Sequence, residues 1–201
     1  MINFFIATFI KIFFLLTPFF VLSMYLAMTQ TFSASIRHSI AVRTAAAVSI
    51  TTLILFFFGN YVFQVLGITL PAFQVGAGAL LFLSAVSLVY GTKEQDISQS
   101  EDIAVVPLAL PLTVGPGTTG TLLVMGAEIT SAAEKMVAGS AVLMASLSVG
   151  LLLYLGVSVE KFLGQKGLKV LTKLTGLVLA ALAAQIIFTG IASFFPALCG
   201  K

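Results

Sequence analysis

The sequence predicts an all-α integral membrane protein: six transmembrane helices arranged as two inverted three-helix repeats, with helices one and four interrupted. Three observations carry that prediction. Of 201 residues, 59% are hydrophobic and 8% charged, against roughly 25% charged in a soluble domain, and mean hydropathy is +1.14. Apolar runs long enough to cross about 30 Å of hydrocarbon recur between short polar breaks. Finally, the two halves resemble each other at an offset of 98–99 residues. A water-soluble fold is excluded, and 1–201 reads as one membrane domain with repeats 1–95 and 96–201.

The first span covers about 5–29. It reads as a retained helix rather than a signal peptide, because Lys11 lies inside the apolar run and no small-x-small cleavage site closes it; Lys11 can snorkel to the interface. The remaining spans are expected at about 42–64, which contains the Phe56-Phe57-Phe58 run, and at 71–91, 103–126, 136–159 and 170–194. In hydrocarbon each span must satisfy its own backbone, so helices are expected, and the runs lack the alternation of barrel strands. Arg37, Arg43, Lys93, Lys161, Lys166, Lys169 and Lys173 fall at one end of the predicted bundle, whereas Lys11, Lys135 and Lys201 fall at the other. That asymmetry puts both termini outside the cytoplasm. Scattered singly at helix ends, the basic residues are topology signals and do not form a nucleic-acid face.

The repeat rests on particular residues. Pro18 in the first span corresponds to Pro116 in the fourth, and the run Leu80 to Gly91 resembles Leu179 to Gly190. Three helices per half is an odd number, so the second half enters the membrane inverted.

The stretch richest in chemistry is Pro107-Leu-Ala-Leu-Pro111-Leu-Thr113-Val-Gly115-Pro116-Gly117-Thr118-Thr119-Gly120. Three prolines remove amide donors and the flanking glycines loosen the backbone, so a discontinuous helix is expected. Amides freed at the start of the second half-helix, near Thr118 to Gly120, would face the bundle centre as an anion or carboxylate site. Thr113, Thr118 and Thr119 add hydroxyls, and Thr17-Pro18 stands at the mirrored place. The alternative is a kinked structural helix with threonines bonded to their own backbone. Gly115, Gly117 and Gly120 also spell G-x-G-x-x-G, but the membrane flanks lack the βαβ context of a dinucleotide fingerprint.

Other polar residues are fewer. Gln74, Gly76 and Gly78 open the third span, and Lys173 and Gly176 stand near the corresponding place in the sixth; small residues there permit close helix approach. Gln185 lies inside the sixth span, where its amide needs a partner, either a substrate or a neighbouring helix. Glu101 and Asp102 read as a solvated helix start, and His38 as loop chemistry. No His or Cys lies within a span and neither H-E-x-x-H nor G-x-S-x-G occurs, so an enzyme is not expected. Cys199 is the single cysteine, which leaves no disulfide or thiolate cluster; no cofactor and no metal is expected.

The segment Glu101-Asp-Ile-Ala-Val-Val-Pro-Leu-Ala-Leu-Pro-Leu-Thr-Val-Gly-Pro-Gly117 closely resembles the MarC family of six-helix membrane proteins. Ala72-Phe-Gln-Val-Gly-Ala-Gly-Ala-Leu-Leu-Phe82 and Leu174 through Gln185 to Gly190 extend the resemblance over essentially the whole chain. It implies a multi-pass inner-membrane protein, similar in plan to amino-acid exporters of the LysE type, that moves small solutes such as neutral amino acids. Two positions depart from the family pattern: Thr17-Pro18-Phe19-Phe20 stands where Asn-Pro-x-Gly is usual, and Gln74 stands where Arg is common. The substrate-contact set expected from sequence is Thr17, Pro18, Gln74, Thr113, Gly115, Pro116, Gly117, Thr118, Thr119 and Gln185. The expected partners are the lipid bilayer and a small-molecule substrate, with room for a homo-oligomer. A non-transporting scaffold or partner subunit is the rival reading.

Overall fold

The computed structural model describes residues 1–90 and 113–194. Among these residues the chain is all helical, in the order α1 (Ile2–Leu15), α2 (Pro18–Met28), α3 (Ala34–Leu66), α4 (Leu70–Tyr90), α5 (Pro116–Glu128), α6 (Ala132–Tyr154) and α7 (Gly156–Phe194). Among the described residues, five segments are long and apolar enough to cross a membrane: Ile2–Met28, Ala34–Gly59, Leu70–Tyr90, Ala132–Tyr154 and Gly156–Phe194. Lys93, Glu101, Asp102, Pro107, Pro111, Cys199 and Lys201, with most of the expected first part of span four, lie outside the described residues.

The interruption expected in span one is present, and residue chemistry explains it. Pro18 has no N–H to continue α1 and its ring opposes a helical residue before it. Thr17 takes left-handed dihedrals, φ 48° and ψ 52°. The last turn of α1 tightens there: Thr17 N donates to Phe14 O and Leu16 N to Ile12 O, each at 3.0 Å. The second half-helix starts again with Val21 N on Thr17 O at 3.0 Å. In α5, Gly115 is extended, Pro116 occupies the first turn, and Thr119 N closes it on Gly115 O at 2.8 Å. Both half-helices thus open with a proline placed where a helix tolerates one.

Two boundaries differ from the sequence expectation. The polar stretch before residue 42 is mostly helix, because α3 starts at Ala34. Arg37 fastens that start by donating to Gln30 O at 2.7 Å and Phe32 O at 3.1 Å, while Tyr25 OH donates to Arg37 O at 2.8 Å. Charged residues here form a helical extension whose backbone satisfies itself. Likewise, span five ends at Tyr154 and the chain turns at Leu155, before the expected 159; the break expected at 160–169 is present as a kink at Gly164, whose φ of 66° and ψ of 166° are non-helical and suit glycine.

Packing is pairwise. The longest contact is α4 with α7; α3 pairs with α6, α5 lies against α3 and α4, α1 against α6, and α2 against α7. Small residues set the closest approaches. A methyl on Gly78 would meet Ile187 and come within 3.0 Å of Ala183 O, and a methyl on Gly176 would meet Val89 and come within 3.0 Å of Ala85 O. Gly126 presses on the carbonyl of Phe56, and Gly59 on that of Leu123. Between α3 and α6, Thr52 Oγ1 and Ser146 Oγ share a buried hydrogen bond of 3.0 Å. The outer faces carry apolar side chains such as Ile54, Phe58, Leu83, Leu147 and Leu177.

Candidate functional site

The two broken helices meet inside the bundle. Thr118 Oγ1, in the first turn of α5, donates to Leu15 O at the end of α1 over 3.1 Å. Leu15, Leu16 and Val114 belong to one buried cluster. Thr17, Thr113 and Thr118 are 8%, 1% and 6% exposed. Thr118 has its carbonyl partner, and Thr113 is also engaged. By contrast Thr17 Oγ1 is buried with no hydrogen-bond partner among the described residues. A buried unpaired hydroxyl is unfavourable, and so is a β-branched residue in the left-handed region. Both occur at the same residue.

Backbone polarity adds to this. The first amides of a helix have no partner within it and carry partial positive charge, while the last carbonyls of a helix carry partial negative charge. The starts of α2 and α5 and the end of α1 come together here, so donors and acceptors converge. The described residues that line the junction, Leu15, Leu16, Thr17, Thr113, Val114 and Thr118, include no ionisable side chain.

The remaining expected residues divide clearly. Pro18 and Thr119 belong to the junction, with Thr119 half-buried, whereas Pro116 is exposed and Gly115 is intermediate. Gly117 is committed to packing, since a methyl there would lie 2.7 Å from Leu81 Cα and 2.9 Å from Leu81 N. Its lack of a side chain is accounted for by the approach of α5 to α4, as is that of Gly120 against Ala77. Gln74 is buried but far along α5 from the junction; its Nε2 donates to Glu128 Oε1 at 2.7 Å. That bond ties α4 to the end of α5. Gln185 is not brought to the junction and stands exposed on α7.

Sequence reasoning missed Leu15 and Glu128. The Leu15 contribution is a carbonyl, which side-chain identity does not reveal. Glu128 reads as loop punctuation until the helices are placed and its carboxylate faces Gln74.

The pattern for MarC family integral membrane proteins matches residues 2–195. A membrane protein of the UPF0056 group, YhcE of Escherichia coli (strain K12), is 31% identical over 199 residues, covering 94% of this chain and 93% of the relative. YvbG of Bacillus subtilis (strain 168), also named a UPF0056 membrane protein, is 29% identical over 212 residues, covering 98% and 99%. A UPF0056 membrane protein of Aquifex aeolicus (strain VF5) is 29% identical over 196 residues, covering 93% and 92%. No solved structure matches the chain. A family match over nearly the full length, together with spans that fit a bilayer, identifies the chain as a member of the MarC family of integral membrane proteins.

Proposed function

We propose that the protein transports a small zwitterionic solute of the neutral amino-acid class through the junction of its broken helices. The carrying observation is Thr17: a strained, buried residue whose hydroxyl has no partner, beside two helix starts and one helix end. A carboxylate suits the amides at the starts of α2 and α5, and an ammonium suits the carbonyls that close α1. The lack of ionisable side chains among the described junction residues matches a solute with no net charge. Thr17, Thr118 and Thr113 then supply hydroxyl contacts, and Pro18 and Pro116 keep the half-helices apart.

The architecture of this reading is six spans in two inverted repeats, 1–95 and 96–201. Gly78 and Gly176 are 98 residues apart, and so are their contacts, Ala85 with Ala183 and Val89 with Ile187. The pairing of α3 with α6 and of α4 with α7 is compatible with a twofold axis in the membrane plane. Release of solute calls for the first turn of α5 to separate from the last turn of α1, breaking the Thr118 to Leu15 bond. The basic end, where His38 stacks on Tyr154 at 4.2 Å and Lys161, Lys166, Lys169 and Lys173 are exposed, faces the cytoplasm of an inner (plasma) membrane.

Purified protein in liposomes, assayed against a panel of neutral amino acids, tests the reading. Saturable uptake that is lost in Thr17→Val supports it; equal leakage from empty and loaded liposomes for every solute refutes it.

A further inference from the structure

We propose that α7 presents a homodimer interface centred on Gln185, independent of what the junction binds. Gln185 stands exposed on the outer side of the bundle, and its side chain has no hydrogen bond among the described residues. Its depth follows from α4: Gly78 rests between Ala183 and Ile187, so Gln185 is level with the third turn of that 21-residue helix. At 1.5 Å per residue this is about 12 Å from the start of α4, inside the hydrocarbon. Lipid chains offer an amide neither donor nor acceptor. Neighbours on the same stripe manage alone: Thr189 Oγ1 donates to Gln185 O at 2.8 Å and Ser193 Oγ to Thr189 O at 3.0 Å. The Gln185 amide has no such return bond.

The occupant that fits is a second copy of this chain. All copies insert in the same orientation, so a twofold axis along the membrane normal brings Gln185 to Gln185 at one depth. Each amide carries both a donor and an acceptor, and the pair is self-complementary. Ala181, Thr189 and Ser193, all exposed on this stripe, are small enough for close helix approach. Phe188, 70% exposed, adds apolar contact beside it.

The experiment uses the full chain with Cys199→Ser, so that any thiol is an introduced one. Ala181→Cys should give a disulfide-linked dimer on mild oxidation in native membranes. Met144→Cys, exposed in the middle of α6, should not. Adding Gln185→Leu should lower the dimer association constant about tenfold and leave the monomer's thermal stability unchanged, because no intrachain bond is lost. Failure of Ala181→Cys to cross-link at any protein density, cross-linking of Met144→Cys equal to it, or a dimer indifferent to Gln185→Leu would each overturn the proposal. A fall in monomer stability with Gln185→Leu would also overturn it, since the amide would then be tying helices within one chain.

Discussion

Thr118 Oγ1 donates to the carbonyl of Leu15 at 3.1 Å, fastening the first turn of α5 to the last turn of α1 across 103 residues of sequence. This bond joins the two broken helices directly, and it lies beside Thr17. Thr118→Val keeps the branched shape and deletes the bond. A loss of about 1 kcal/mol in stability is expected, the net worth of one hydrogen bond. Thermal unfolding in detergent measures it, and an unchanged midpoint would show that the two half-helices are held by packing alone.

Thr17 gives two expectations of opposite sign. Thr17→Asn places a residue tolerant of left-handed dihedrals at φ 48°, and should stabilise the protein by about 1 kcal/mol. Thr17→Val removes a buried hydroxyl that has no partner; the solute-free protein should unfold no more easily, while solute binding weakens up to about tenfold. Comparing unfolding midpoints with and without amino acid separates the two effects. A large loss of stability in the solute-free Thr17→Val protein would mean that the hydroxyl serves the fold.

Gln74 donates to Glu128 at 2.7 Å, and Arg is the residue that the family resemblance leads one to expect at this position. Gln74→Arg should therefore be accepted, its guanidinium meeting the same carboxylate, with the unfolding midpoint kept or raised. Gln74→Leu should cost about 1 kcal/mol. If Arg destabilised more than Leu, the Glu128 contact would not be the reason for a polar residue here.

The proposed repeat makes a paired expectation. Gly78→Ala and Gly176→Ala press on carbonyls 98 residues apart, Ala183 O and Ala85 O, each at 3.0 Å, so both should destabilise by a similar amount, about 1–3 kcal/mol. Gly76→Ala, with nothing within 4 Å of the added carbon, is the neutral control. Markedly unequal losses at Gly78 and Gly176 would argue against equivalent places in two halves.

Much of this was readable in the sequence because membrane helices declare themselves locally. Pro18 and Pro116 marked both helix restarts, since the missing N–H acts wherever the residue stands. The positions of the α3 start and of the turn at Leu155 were not readable, because they depend on Arg37 reaching Gln30 O and Phe32 O and on how far a charged helix projects past the bilayer. At the junction, hydroxyls were legible and carbonyls were not. Gly117 misled for a related reason: a glycine looks the same whether a ligand or the backbone of Leu81 approaches it. Gln185 announced a need for a partner, but only the placement of α7 shows that the need points outward.

The most direct measurement is amino-acid flux into liposomes holding wild-type protein and Thr17→Val at equal density, with the variant's fold checked by its unfolding midpoint. The expected result is saturable transport of at least one neutral amino acid by wild type, reduced up to about tenfold in the correctly folded variant at low solute concentration. Identical flux by both proteins would remove Thr17 from the site, and no flux of any solute by wild type would leave the bundle as a membrane scaffold.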